Sequence, residues 1–315
     1  MKQRIITAAM IIATLVLVFF AREVTTYVFD ALIVGLSVIA TFEMTKLASK
    51  SGLYNFKYVA LCYTVIAYAV FIFSIKIEME WYMVLLFQLA ILIVLIGLLS
   101  LYGIIFRKKT ENEIETRNLK IKVDNFSIYK AVHTLFVCVY PALLMLCFVA
   151  INNIGSLSYI FEVSTEIMPK LSLFMLILTL TIPVFVDTFA FFTGILIGGK
   201  KLCPKISPNK TISGTVGGIV WGILGALIAY LIFDAIPEYG VIFESLNFAF
   251  WQFIILGFVA SVLSVLGDLF ESYLKRKAGV KDAGDILPGH GGILDRMDSH
   301  IFCAPAMFIF LIIIL

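Results

Sequence analysis

The chain has 315 residues, 61% of them hydrophobic and 14% charged, with a mean hydropathy of +1.04. A soluble domain carries about 25% charged residues, and a water-soluble fold of this length could not bury so much apolar surface, so the bilayer is the expected solvent. The formal charge of +3 is too small to argue for nucleic acid.

Apolar runs follow one another at roughly Ile5–Ala21, Thr26–Ala48, Tyr58–Ile75, Tyr82–Phe106, Tyr129–Ile151, Leu171–Ile197, Thr215–Ile236, Phe248–Tyr273 and His300–Leu315. A helix needs about 20 apolar residues to cross the hydrocarbon, so these predict an all-α integral membrane protein with about nine transmembrane helices, the last one short. Barrel strands would be shorter and alternating. The first run follows Met1-Lys2-Gln3-Arg4 like a signal peptide, but no small-x-small cleavage pattern comes after it, so a retained span is expected. Cys62, Cys138, Cys147, Cys203 and Cys303 form no CxxC pair and read as small packing residues. Arg107–Lys130 is expected to be a solvated loop or a short amphipathic helix. The chain divides in expectation into N-terminal helices with this loop, 1–127, and a C-terminal catalytic region, 128–315. The compact chain is expected in a bacterial plasma membrane.

Charge placement predicts orientation. Of the 24 Lys and Arg, all but Arg22, Lys76 and Lys170 fall on one side of the predicted spans. The opposite loops carry Glu78, Glu80, Glu162, Glu166, Glu238 and Glu244 instead. An odd number of spans with a cytoplasmic N-terminus fits this bias. The site at the ends of the C-terminal helices then faces the cytoplasm, where nucleotides are found.

The stretch from Gly267 to Ser299 concentrates what the rest of the chain avoids. Asp268, Glu271, Ser272 and Lys275 fall on one helix face. A carboxylate inside the membrane boundary is costly unless paired or metal-bound. Pro288-Gly289-His290-Gly291-Gly292 offers backbone N–H groups a close approach to an anion. Asp295 and Asp298 share a face beside Arg296. Carboxylates from two helices can share a hard cation such as Mg²⁺. An ordinary solvated loop is the competing reading. His290 reads as a turn residue or a phosphate donor, and His133 and His300 as structural. Upstream, Asp187 lies near the end of the sixth span. The loop after it presents Lys200, Lys201, Lys205, Ser207, Lys210, Thr211 and Ser213 just before a helix, a plausible phosphate cradle for Lys210; positive-inside charge explains the other lysines equally well. No Walker A pattern is present. Glu43 with Lys46 reads as an interfacial ion pair, and Asp30 has no evident role.

The run Ser272 to Arg276, then Lys281-Asp282, Gly284, Leu287-Pro288, His290 to Ile293 and Asp295 to Asp298 closely resembles the hallmark of phosphatidate cytidylyltransferases (CDP-diacylglycerol synthases). Ser207-Pro208, Lys210-Thr211 and Gly217-Gly218 look like that family's second motif. The chain departs from it at Ser213, where Glu is usual, and at Phe191 and Ile195, where Tyr and Arg are usual. The resemblance implies CTP and phosphatidate as substrates, CDP-diacylglycerol and pyrophosphate as products, Mg²⁺ with room for a second cation, and a homodimer. It implies metal binding by Asp268 and Asp295, with Asp298 as a helper. Lys210, Lys275, Arg276, Lys281 and Arg296 would neutralise the phosphates. Ser207, Thr211, Ser272, His290, Gly291 and Gly292 would bind substrate. Two rivals remain open: another CTP-using lipid enzyme, such as a polyprenol kinase, and a transporter that uses Asp268 and Asp187.

Overall fold

The computed structural model describes residues 2–77, 79, 81–117, 119, 122–157 and 166–315. Glu78, Glu80, Glu162 and Lys120, which enter the charge pattern above, lie outside the described residues. Helices come in the order α1 (Lys2–Arg22), α2 (Tyr27–Lys50), α3 (Lys57–Lys76), α4 (Trp81–Ile105), the short polar α5 (Arg107–Thr116) and α6 (Val123–Asn152). They continue with α7 (Met168–Ile197), strands β1 (Lys201–Cys203) and β2 (Ser207–Thr211), then α8 (Ile212–Asp234), the short α9 (Pro237–Ser245), α10 (Phe250–Lys277) and α11 (Leu294–Ile314). Among the described residues, 7 helices are long and apolar enough to cross a membrane: α2, α3, α6, α7, α8, α10 and α11. The apolar parts of α1 and α4, Ile6–Arg22 and Leu86–Tyr102, are shorter.

Of the two readings of Arg107–Lys130 the short helix is found: α5 covers its first half, and Glu113 there accepts from Lys130 of α6 at 2.8 Å. Two features differ from the sequence reading. Helix α6 begins at Val123, before the apolar run that starts at Tyr129. The loop before α8 is a hairpin, with Lys201 opposite Thr211 and Cys203 opposite Ser207. Pro204 and Pro208 deny this segment a helix, and its polar residues suit a short exposed ribbon.

Close approach of α8 to α7 rests on small residues. Gly214, Gly218 and Gly222 recur every four residues and are all buried or nearly so against α7 or α10. A Cβ at Gly218 would stand 2.7 Å from the Val186 carbonyl oxygen, so only glycine lets the backbones approach this closely. Lipid offers no hydrophobic force between helices, so such dispersion contact is what joins them.

Two apolar clusters fill the bundle. One, built on Phe174, Phe243 and Phe253, lies toward the end where α7 begins. The other, with Met44, Tyr63, Leu274, Leu294 and Ile301, underlies the opposite end, where α2 and α10 finish and α11 starts. At the first end Asp30 finds its role. It is buried and accepts from Asn152 Nδ2 at 2.8 Å and Asn153 Nδ2 at 3.0 Å. Arg22 donates to Asn152 Oδ1 and Ser172 Oγ, each at 2.7 Å. These are the partners that buried polar groups require. At the start of α7, Lys170 donates to Glu238 of α9 at 2.6 Å, and this hydrogen bond holds the Glu238 carboxyl below its ordinary value.

Replacing Gly218 with valine drives a branched side chain into the α7 backbone. Overpacking of this kind costs about 1–3 kcal/mol. The thermal midpoint of Gly218→Val in detergent is expected to fall well below that of the wild type, whereas Val220→Ala, on the exposed side of α8, should leave it nearly unchanged.

Candidate functional site

The site lies where α10 ends and α11 begins. Lys275, Arg276 and Lys277 occupy the last turn of α10, where cations complement the helix dipole. Gly279 takes a φ of 69° and ends the helix. The chain then turns through Leu287–Gly291, where the Leu287 N–H donates to the Gly291 carbonyl at 2.8 Å. Helix α11 starts at Leu294, earlier than the sequence suggested, so Asp295, Arg296 and Asp298 belong to its first turns.

Asp295 holds this junction together. Its Oδ1 accepts from Lys275 Nζ at 2.8 Å. Its Oδ2 accepts from the backbone N–H groups of Ala283 at 2.8 Å, Gly292 at 2.9 Å and, more weakly, Gly284 at 3.4 Å. Lys275 also stands 3.2 Å from Oε2 of Glu271, which is fully buried. Asp298 lies within electrostatic reach of both Asp268 and Glu271. Several carboxylates therefore face the single ammonium of Lys275.

The hairpin delivers the second lysine. Lys210 of β2 forms an ion pair with Asp268 of α10, and Ser272 Oγ donates to Asp268 Oδ1 at 3.2 Å. Thr211 caps α8, its Oγ1 accepting from the Gly214 N–H at 3.1 Å. Ser213 donates to the Gly198 carbonyl. Arg276 Nε donates to the Ile206 carbonyl at 3.1 Å, which ties the hairpin to the end of α10.

Two cavities flank these pairs. A groove of about 540 Å³ is lined by Asp187, Lys210, Thr211 and Asp268, and by Phe191 and Ile195, which follow Asp187 along the same face of α7. A second cavity of about 560 Å³ is lined by Lys281, Asp282, Asp285, His290, Gly291 and Arg296. Arg296 lines the second cavity and not the groove.

The residues singled out in the sequence thus fall into three groups. Asp268, Lys210, Thr211 and Ser272 gather at or beside the groove. Lys281, His290, Gly291 and Arg296 gather at the second cavity. Lys275, Asp295 and Asp298 line neither cavity, and neither do Ser207 and Arg276. The Gly292 N–H, read from sequence as open to an anion, is engaged by Asp295 here, and a Cβ on Gly291 would stand 2.8 Å from Asp295 Oδ2. The glycines let backbone close on an internal carboxylate.

Glu43 is the residue that sequence reasoning misplaced. It forms no pair with Lys46, whose ammonium instead sits 4.2 Å from the Phe42 ring centre. Glu43 is buried and accepts from the N–H groups of Ile293 and Leu294 at 3.2 and 2.8 Å. A carboxylate in an apolar span was the available signal.

A helical bundle with membrane-grade spans and an end lined by paired lysines and carboxylates defines an integral membrane protein equipped to hold anions and cations together. The sequence pattern of the cytidylyltransferase family matches residues 2–314, and the chain belongs to that family. Over 167 residues it is 40% identical to a phosphatidate cytidylyltransferase of Staphylococcus saprophyticus, a match covering 53% of this chain and 58% of that protein. A phosphatidate cytidylyltransferase of Staphylococcus haemolyticus is 44% identical over 126 residues, 40% of this chain and 44% of that protein. One from Rickettsia bellii is 44% identical over 126 residues, 39% of this chain and 51% of that protein. The matched segments therefore span less than two thirds of these relatives.

Lys275→Met would leave Glu271 and Asp295 buried without their cation, a loss of about 3–5 kcal/mol. Lys210→Met should cost far less, because Lys210 and Asp268 retain 25% and 21% side-chain exposure. Thermal unfolding of the two variants in the same detergent measures the difference, and the Lys275 variant is expected to melt clearly lower.

Proposed function

We propose that this protein transfers the cytidylyl group of CTP to phosphatidate, giving CDP-diacylglycerol and pyrophosphate, at the cytoplasmic end of the bundle. One observation carries the reading. Two lysine–carboxylate pairs, Lys210–Asp268 and Lys275–Asp295, each include a residue of α10, and the first lines a groove that also presents the apolar Phe191 and Ile195. The chain's similarity to phosphatidate cytidylyltransferases supports the same substrates.

In this reaction a lipid phosphate oxygen attacks the α-phosphorus of CTP. The new P–O bond forms as the bond from the α-phosphorus to the bridging oxygen breaks, and pyrophosphate leaves with the electron pair. The nucleophile is already largely ionised near neutral pH, so no strong general base is needed. The barrier lies in bringing two polyanions together. Lys210, Lys275, Lys281 and Arg296 would lower it by placing positive charge where the phosphates meet. Arg276 would keep the hairpin, and with it Lys210, against α10. Asp268 and Asp295, with Asp298 beside them, would hold Mg²⁺, which when bound supplies further positive charge to the phosphate oxygens. Their donors fit: all are hard carboxylate oxygens, and each of the first two already attracts a cation. Among the described residues no three His, Cys, Asp or Glu side chains are gathered as a ready-made metal site. Mg²⁺ does not require one, since it takes one or two protein carboxylates and completes its shell with water and phosphate.

Nine spans, a cytoplasmic N-terminus, a bacterial plasma membrane and a homodimer complete the proposal. The one-sided distribution of Lys and Arg supports the orientation. The apolar wall of Phe191 and Ile195 supports entry of the lipid from the side, with its acyl chains left in the bilayer.

Purified protein in detergent, given phosphatidate, CTP and Mg²⁺, should release pyrophosphate and form a CDP-lipid. Asp268→Asn and Asp295→Asn should each reduce the rate at least ~100-fold, the scale of losing one electrostatic catalytic group. Release of CDP instead of pyrophosphate would identify a kinase. Solute movement in sealed vesicles without nucleotide would identify a transporter.

A further inference from the structure

We infer that Glu43 is a positioning residue for the reaction proposed above, a clamp from the N-terminal helices that sets where α11 begins. The inference rests on that reading for its catalytic consequence, though not for its geometry. Glu43 lies on α2, 2% exposed, some 250 residues before its partners in the chain. Its Oε2 accepts from Leu294 N–H at 2.8 Å and its Oε1 from Ile293 N–H at 3.2 Å. These are among the N–H groups that a helix start leaves without an internal partner. Among the described residues no Lys, Arg or His forms an ion pair with Glu43. Backbone N–H groups and the positive end of the α11 dipole are what offset its charge.

The surrounding chain is shaped to this carboxylate. A Cβ at Gly292 or at Gly284 would run into the Glu43 side chain. Both glycines also donate their N–H groups to Asp295 Oδ2. The same short backbone segments are thus held by Glu43 on one side and by Asp295 on the other. Residues 293–294 are gripped directly, and Asp295 and Arg296 follow at once in the same turn. A shift of the helix start would carry Asp295 away from Lys275 and move Arg296 within its cavity. Residues far from the bond being made can act in this way, since a misplacement of about 1 Å can cost about 100-fold in rate.

Glu43→Gln tests the clamp with nearly the same shape but no charge, and with an amide N–H₂ facing one backbone N–H. Two readouts are needed, pyrophosphate release with phosphatidate and CTP, and hydrogen exchange resolved along the chain. The variant should lower kcat about 10-fold or more while KM for CTP changes by less than about 3-fold, as expected when ground-state binding persists and transition-state alignment is lost. Amide exchange over residues 280–297 should quicken, with α7 and α8 unchanged. Gly292→Ala should reproduce both effects by pushing into the carboxylate. In Glu43→Ala, which removes the obstruction, adding Gly292→Ala should do little further harm, a non-additivity that marks direct contact. Wild-type kcat together with wild-type exchange in Glu43→Gln would overturn the inference. A lower melting temperature with unchanged kcat per folded molecule would also overturn it, reducing Glu43 to a structural role. If the wild type proves inactive toward phosphatidate, the proposed function fails, and the exchange data alone still decide whether Glu43 holds residues 280–297.

Discussion

The start of α11 is held by carboxylates that accept from backbone N–H groups, and the arrangement of the charged end depends on this interaction. Asp295 takes three such hydrogen bonds on one oxygen and an ammonium on the other. Glu43 takes two more. In water each of these bonds would merely replace a bond to solvent. At the edge of a membrane, with few waters to compete, an unmade bond costs the full desolvation of the group. The loop from Gly279 to Gly292 has little regular structure of its own, and it acquires a fixed path by satisfying these carboxylates. Lys275 is what allows two acidic side chains to approach so closely. Its position one helical turn after Glu271 places one ammonium between carboxylates of two helices.

The second lysine reaches the site by different means. A helix could not carry Lys210 past Pro204 and Pro208, so the chain crosses back as a hairpin. The hairpin is short and would be marginal alone. Arg276 fastens it to α10, and the Lys210–Asp268 pair fastens it again about two turns nearer the membrane. Behind it, the glycine stripe on α8 brings α7 close enough for Asp187 to line the same groove. Packing of small residues in the lipid phase and ion pairing at its surface therefore serve one geometry.

Much of this was legible in the sequence because membrane spans and charged motifs are local signals. The span boundaries follow hydropathy to within a few residues for most helices, and Asp268, Glu271 and Lys275 share a helix face as their spacing implies. The last span was marked from His300, because hydropathy passes over Asp295, Arg296 and Asp298, although their spacing already placed the two acids on one helical face. Their helical conformation is stabilised by Glu43, which lies at the far end of the sequence. The hairpin escaped because its residues have no alternating apolar pattern, and what specifies it is the exclusion of helix by proline together with a tether to Arg276. The roles of Gly291 and Gly292 were half legible. Their need for close approach was evident, but not that internal carboxylates are what approach them.

The departures from the family pattern bear on the groove rather than on the paired charges. Phe191 and Ile195 stand on its wall, and both are exposed on the surface of α7. A tyrosine and an arginine there would bring a hydroxyl and a cation to the groove, whereas these two bring only apolar surface. Ser213, in place of a longer acid, turns its hydroxyl to the Gly198 carbonyl and braces the backbone where α7 ends. The polar side chains of the groove are then Asp187, Lys201, Asn209, Lys210, Thr211, Thr215 and Asp268. For an amphiphile with a phosphate head, such a division favours one orientation. In the proposed reaction the chains would lie along Phe191 and Ile195, and the head would meet Lys210. Charge at the second cavity, from Lys281 and Arg296, would then be left for the more highly charged partner. An apolar-lined groove and a separate polar cavity on the same end of the bundle would suit the two substrates of unequal polarity that the proposed reaction brings together.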